Sequence, residues 1–275
     1  MRRRSEDGAT PLGRRGRGGV PARGTSGRPA RAPPTRTRWG GALAGRPYPL
    51  RMRVLLAVLL LAAASAVHAQ GGVQVARVQY GGGGDWYSGD PLPNLLSYAR
   101  QHTLLDLDTQ PVTVELGSDR LFTVPLLFLN GHGNVALTDD EAGRLRRYLD
   151  GGGFLIVNDD YGLDASVRRE LKKVYPDQEL QPLPASHPVY HAHFDFPDGL
   201  PKIHEHDGEP ARGYGLFHEG RLVVFYAHES DLADGWEPAG VHPDPPEARE
   251  AALRMGVNLL VYATTQGGAV GPVDQ

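Results

Sequence analysis

Four groups of residues in this chain have types and spacing suited to chemistry. An apolar run ends abruptly at Asn130-Gly131-His132-Gly133. A histidine there could act as a base or ligand, with glycines permitting close backbone approach; it could equally cap a tight turn. A second apolar run ends in Asn158-Asp159-Asp160. Their oxygens would suit a hard divalent cation such as Mg²⁺ or Ca²⁺, or they could cap the loop and the next helix. The third group is Gly81 to Gly84 followed by Asp85-Trp86-Tyr87. It could cradle a phosphate, although Asp85 would repel one, and it matches neither the dinucleotide fingerprint nor a P-loop. The other reading is a turn that lets Asp85 and Trp86 swing over the neighbouring strand ends. The fourth is a histidine patch: His187, His191, His193, His204 and His206. His191-x-His193 and His204-x-His206 would put paired imidazoles on one face of a strand, a spacing zinc can use, or they are plain surface in a Pro-rich loop.

Other chemistry is excluded. There is no cysteine, hence no thiolate nucleophile, no Cys-ligated zinc and no disulfide. No Gly-x-Ser-x-Gly elbow replaces the thiolate. Charge is divided unevenly along the chain. Residues 1–53 hold 14 of the 29 basic residues but two of the 32 acids, which leaves the remainder at a net of about −15. An acidic domain of this kind disfavours nucleic acid and anionic membrane surfaces as partners and tolerates metal ions or cationic partners.

The elements that must position these groups follow from pattern. Val73 to Tyr80 alternates as a half-buried strand. Leu92, Leu95, Leu96 and Ala99 recur at helical spacing up to about His102. Val112 to Leu116 and Thr123 to Asn130 read as strands. Thr138 and Glu141 form a capping box for a helix to Asp150, which Gly151 should stop in the left-handed conformation. Phe154 to Asn158 is the next strand, and Asp164 should cap the helix behind it. Arg212–Phe217 and Leu222–Tyr226 suggest a hairpin. Asp244 should cap a last helix that opens with prolines and runs to about Tyr262. Strands alternating with capped helices argue a three-layer α/β domain with a mostly parallel sheet and an irregular C-terminal third. Its strand ends after Tyr80, Leu129 and Val157 should share one rim.

The amino-terminal end is different material. Residues 1–51 are an Arg/Gly/Pro-rich stretch, disordered by composition, either a leader or an upstream start. Residues 52–69 have the basic start, short apolar core and small-x-small exit of a signal peptide. The expected organisation is one α/β domain over 70–264 and a disordered tail over 265–275. The protein is then exported, periplasmic or extracellular, with no transmembrane helix after signal cleavage.

Several of these motifs occur together in one family. Gln79-Tyr80 with the four glycines and Asp85-Trp86, Pro93-Asn94-Leu95-Leu96, Phe128 to Gly133, Leu149 to Leu155 with Asp159-Asp160, and His187-Pro188-Val189-Tyr190 resemble the bacterial domain-of-unknown-function family 4159, over about Val75 to Thr264. The resemblance implies a flavodoxin-like domain similar to class I glutamine amidotransferases, in exported or membrane-attached proteins. It brings no mechanism, and the lack of cysteine excludes glutaminase activity.

The resulting expectation is a non-catalytic binding or scaffold module of the bacterial envelope, whose partner is an envelope protein or polymer. Its ligand-binding candidates are Asp85, Trp86, Asn130, His132, Asn158, Asp159, Asp160 and His187. The alternative is a metal-assisted hydrolase of an envelope polymer or carbohydrate. It would use Asp85, Asp159 or Asp160, with His132 and His187, to hold a divalent metal and activate water, with His132, Asp159 and His187 as the catalytic candidates. A third reading is a sugar-binding protein using Trp86 and Tyr87.

Overall fold

The computed structural model describes residues 72–204 and 208–265. The expected leader and signal peptide, His206, and all of the tail but Thr265 lie outside the described residues. Thr265 itself is the last residue of a helix rather than part of a tail. Among the described residues no helix is long and apolar enough to cross a membrane.

The domain is mixed α/β, built on a seven-stranded, mostly parallel sheet. Its strands are β1 (Val75–Gln79), β2 (Val112–Glu115), β3 (Leu126–Leu129), β4 (Phe154–Asn158), β5 (Gln181–Pro182), β6 (Arg212–His218) and β7 (Arg221–His228). They lie in the order β2-β1-β3-β4-β7-β6-β5. The first five of these run parallel, and β6 and β5 add an antiparallel edge. Every residue of β3 and β4 is buried. That explains their unbroken apolar runs, since a parallel strand inside such a sheet is covered on both faces.

Side-chain alternation splits the core in two. Leu126, Phe128, Phe154, Ile156 and Phe225 point to one face. There they meet α1 (Leu92–His102), α4 (Leu232–Trp236) and α5 (Pro246–Thr265). Leu127, Leu129, Leu155, Val157 and Tyr226 point to the other, against α2 (Asp139–Asp150) and α3 (Asp164–Val174). Full burial of each large apolar side chain contributes roughly 1.5–3 kcal/mol. Trp236 is the largest of them. It is fully buried and its indole donates to the Ala252 carbonyl at 2.8 Å. Gly256 lets α5 lie this close, because a Cβ there would stand 2.4 Å from Leu95 and 3.0 Å from Trp236.

Local signals held unevenly. The Thr138–Glu141 capping box forms as read from sequence. The left-handed turn after α2 belongs to Gly152 (φ +110°), because Gly151 still sits at φ −78°. Asp164 does not cap α3. Leu163 holds the cap position without a side-chain bond, and the Asp164 carboxylate instead accepts from Tyr226 and Arg168. The expected irregular C-terminal third supplies more order than anticipated. The β6–β7 hairpin inserts β7 into the sheet beside β4, and α5 spans 20 residues.

The order β2-β1-β3 means that the chain leaves β1 on one side and returns on the other. The helices that follow β1 and β3, α1 and α2, therefore lie on opposite faces of the sheet, and the crevice at the carboxyl ends of the strands beside that switch is where open α/β sheets bind ligands.

Candidate functional site

A cavity of about 410 Å³ occupies that crevice. The loop after β1 contributes Ser88 and Gly89, and the end of β3 contributes Asn130 and His132. Asp160 follows β4, and α4 after β7 brings Asp234 and Glu237. His204, Val241 and His242 close the far wall.

The loops after β1 and β3 are zipped together. Gly84 N–H donates to Asn134 O at 3.0 Å, Ala136 N–H to Gly81 O at 2.9 Å, and Asp85 N–H to His132 O at 3.3 Å. With the Gly84 amide and the Gly81 carbonyl committed to this pairing, Gly81 to Gly84 form the turn that brings Asp85 across. Gly131, at φ +134°, is required by this approach, since a Cβ would meet the Tyr80 hydroxyl at 2.6 Å. The zip carries Asp85 to His132. Its carboxylate accepts the His132 backbone N–H and lies 3.0 Å from His132 Nδ1. The same ring nitrogen is 3.2 Å from Asp160 Oδ2. Asp85, His132 and Asp160, each at the end of a different strand, therefore meet at one point.

Beneath them is a polar network in a dry setting. Asn158 is fully buried. Its amide donates to Asn130 Oδ1 at 2.7 Å and to Asp231 Oδ1 at 2.9 Å, and its own oxygen accepts from Leu232 N–H at 2.9 Å. Asp231, also fully buried, caps α4 by accepting from Asp234 N–H at 3.1 Å. These bonds use Oδ1, and Asp231 Oδ2 is buried with no hydrogen-bond partner.

Three carboxylates, Asp160, Asp231 and Asp234, each place an oxygen within 4.8 Å of the others. Asp160 and Asp231 are buried, Asp234 is nearly so with 13% of its side chain exposed, and Asp234 is shared with a second group formed with His204 and Asp244. Asp234 Oδ2 lies 3.6 Å from His204 Nδ1, and Oδ1 lies 3.2 Å from His242 Nε2. The side chain of Asp244 is 8% exposed, and its Oδ2 also lacks a partner. Burial, then the hydrogen bond and charge of Asp231, then the charges of Asp234 and Asp85 hold the Asp160 carboxyl far above the usual range. Burial first, then the charge of Asp231, push Asp234 up to about 7. Electrostatically this wall is a sink for cations or hydrogen-bond donors.

The remaining sequence candidates go elsewhere. Asp159 turns away from the cavity. It accepts from Leu163 N–H and the Tyr226 hydroxyl, both at 2.9 Å, in a cluster with Asp164 and His228. Arg168 balances that cluster through Asp164 at 2.7 Å. Burial raises the Asp159 pKa. Trp86 packs half-buried against the α2–α3 side of the core. His187 sits toward the opposite, amino-terminal end of the parallel strands. Its ring lies 5.7 Å from Tyr262, which lies 6.2 Å from Phe154 at the start of β4. It accepts from Val189 N–H at 3.2 Å, and burial pushes its pKa down to about 4. His191 pairs with Asp195 at 2.5 Å and with the Ala185 carbonyl at 2.8 Å. His193 stands against Phe194. Of the described patch histidines, His204 alone reaches the cavity.

Sequence reasoning missed Asp231, Asp234, His242 and the role of Asp244. Asp231-Leu232-Ala233-Asp234 does carry a helix-start signal, an Asp cap with an acid three residues on. Asp244 read as a cap, but it lies two residues ahead of α5 and faces His204 and Asp234 instead.

The family model for a domain of unknown function, DUF4159, matches residues 74–264. None of the curated proteins compared with the chain matches it.

Proposed function

The chain belongs to the domain-of-unknown-function family DUF4159, and on that footing we propose that it is an exported binding module of the bacterial envelope. Its recognition site is the cavity at the carboxyl rim, and its ligand is a hydroxyl- or amine-bearing envelope polymer. One observation carries this reading: the cavity converges acceptors, not a nucleophile with its base. Ser88 is the one hydroxyl among the described lining residues, while Asp85 and Asp160 hold the His132 imidazole. A carboxylate-rich pocket selects cationic or donor-bearing groups. Exposed Tyr87 and Tyr161 beside Ser88 and Asp160 offer apolar ring faces of the kind that sugars cover.

The strand order 2-1-3-4 followed by a further parallel strand supports the finer assignment to a flavodoxin-like, amidotransferase-like fold. Without cysteine that fold has been put to a different use. The signal-like segment over 52–69 supports the exported location.

Co-sedimentation with insoluble peptidoglycan sacculi tests the reading. The wild-type chain should pellet, and Asp85→Ala or Asp160→Asn should weaken binding at least tenfold. A wild type that stays in the supernatant, or variants that pellet equally, would refute it. A second reading, metal-assisted hydrolysis, is favoured by the buried carboxylates beside His132. Release of soluble fragments by the wild type, lost in both variants, would establish that reading instead.

A further inference from the structure

Asp160 and Asp231 are buried, Asp234 beside them keeps 13% of its side chain exposed, and the ionic partners of this group among the described residues are histidines: His132 to Asp160, and His204 and His242 to Asp234. No Lys or Arg ion pair is recorded for any of the three among those residues. Packing ionised carboxylates in a medium of low polarity is costly unless they take up protons or something cationic joins them. A cluster of acids alone would say little, but two further features point to what joins them. Asp231 is anchored through Oδ1 by Asn158 and the α4 backbone, and its fully buried Oδ2 takes no bond from any amide or hydroxyl outside the acidic cluster. Asp244, in the adjoining group, likewise has a buried side chain with an unpartnered Oδ2. Outer hydrogen bonds that fix a carboxylate while leaving one oxygen uncommitted are the support that metal ligands need.

We propose that the floor of the cavity holds two divalent cations bridged by Asp234, one among Asp160, Asp231 and Asp234 and the other among His204, Asp234 and Asp244. The two oxygens of Asp234 already face different partners, Oδ1 toward His242 and Oδ2 toward His204, as a bridging carboxylate must. The first group offers oxygen alone, and the second mixes oxygen with imidazole nitrogen. Mn²⁺ tolerates both sets, and Zn²⁺ favours the second. Cations there would neutralise the buried acids and present open positions to the donor oxygens of a ligand. This deepens the reading of the cavity as the binding site and rests on it.

The test is Mn²⁺ binding to the chelator-treated, dialysed chain, with stoichiometry from metal analysis and affinity from calorimetry. Two ions per chain are expected. Asp234→Asn should lose both. Asp231→Asn and Asp244→Asn should each retain one, with affinity for the other reduced at least tenfold. His191→Asn, outside the cavity, should retain two. Circular dichroism of the metal-free variants checks their fold, and the wild-type stoichiometry stands without any variant. None or one ion in the wild type, or two ions kept by Asp234→Asn, overturns the proposal. No polymer is present in this titration, so failure of sacculus binding and failure of metal binding are read separately.

Discussion

Two buried acidic positions in this protein have opposite surroundings. Glu170 on α3 is 2% exposed. Its oxygens meet Lys173 at 2.7 Å, Arg169 at 2.7 Å and the Leu137 N–H at 3.0 Å. Burial alone would raise its pKa, but the Lys173 bond, the Leu137 amide and Arg169 outweigh it and leave it lowered. Asp160 is 7% exposed, and its neighbours are Asp231, Asp234 and Asp85, which add to burial and drive its pKa up to about 10. Solvent exposure is similar, but Asp160 is the more deeply packed, so depth of burial and the sign of the neighbours together decide the outcome. On α3 the chain supplies its own counter-cations. In the cavity it supplies histidines and open oxygens, so a retained proton in the metal-free protein, or the cation proposed above, takes the place of those counter-cations. That asymmetry separates a structural carboxylate from a binding one.

The contrast can be broken by substitution, with the largest effect expected on α3. Glu170→Gln removes the charge that Lys173 and Arg169 pair with and leaves one acceptor oxygen for three donors, and should cost about 3 kcal/mol in urea unfolding. Its folded pKa is below the ordinary value, so the stability it contributes is present above about 4.5 and is lost as pH falls through the lowered value. Asp160→Asn should act in the opposite direction. The native state holds a proton that the unfolded chain releases above 3.8, so metal-free wild-type stability declines as pH rises from there toward about 10. The variant should gain about 2 kcal/mol at pH 8 in chelator and nothing at pH 4. A loss at pH 8 would mean that the cavity is already balanced.

A smaller effect belongs to His187, the candidate that lies away from the cavity. Burial alone lowers its pKa to about 4, so stability present above pH 6.5 should fall as pH drops toward 4. The decline between pH 7 and 5 should be about 1.5 kcal/mol, and His187→Gln should flatten it. An unchanged slope in that variant would remove His187 from the account.

Half of the site was legible in the sequence, and the reason is geometric. Asp85, His132 and Asp160 follow three apolar strands, and parallel pairing of β1, β3 and β4 forces their ends together. Which of two adjacent acids faces the crevice was not legible. Asp159 and Asp160 were equal in sequence, and the Leu163 amide and Tyr226 hydroxyl, supplied by tertiary contacts, decided for Asp160. The other half sits on α4, five residues long, and on loops before α5. Such segments have too few residues to show a period, and their placement depends on β7 entering the sheet beside β4. The Thr138 capping box was readable because every bond in it is local. Asp164 and Asp244 carried the same local signal, yet long-range partners claimed both carboxylates.

The most direct test of the central claim is the thermal midpoint of the chelator-treated chain with and without saturating Mn²⁺ at pH 7.5. If the buried carboxylates await two cations, binding at about 100 times Kd adds about 2.7 kcal/mol for each, about 5.4 kcal/mol together. The midpoint should then rise by about 10–20 °C in the wild type and stay put in Asp234→Asn. An unmoved wild-type midpoint, or an equal rise in both proteins, would contradict the claim.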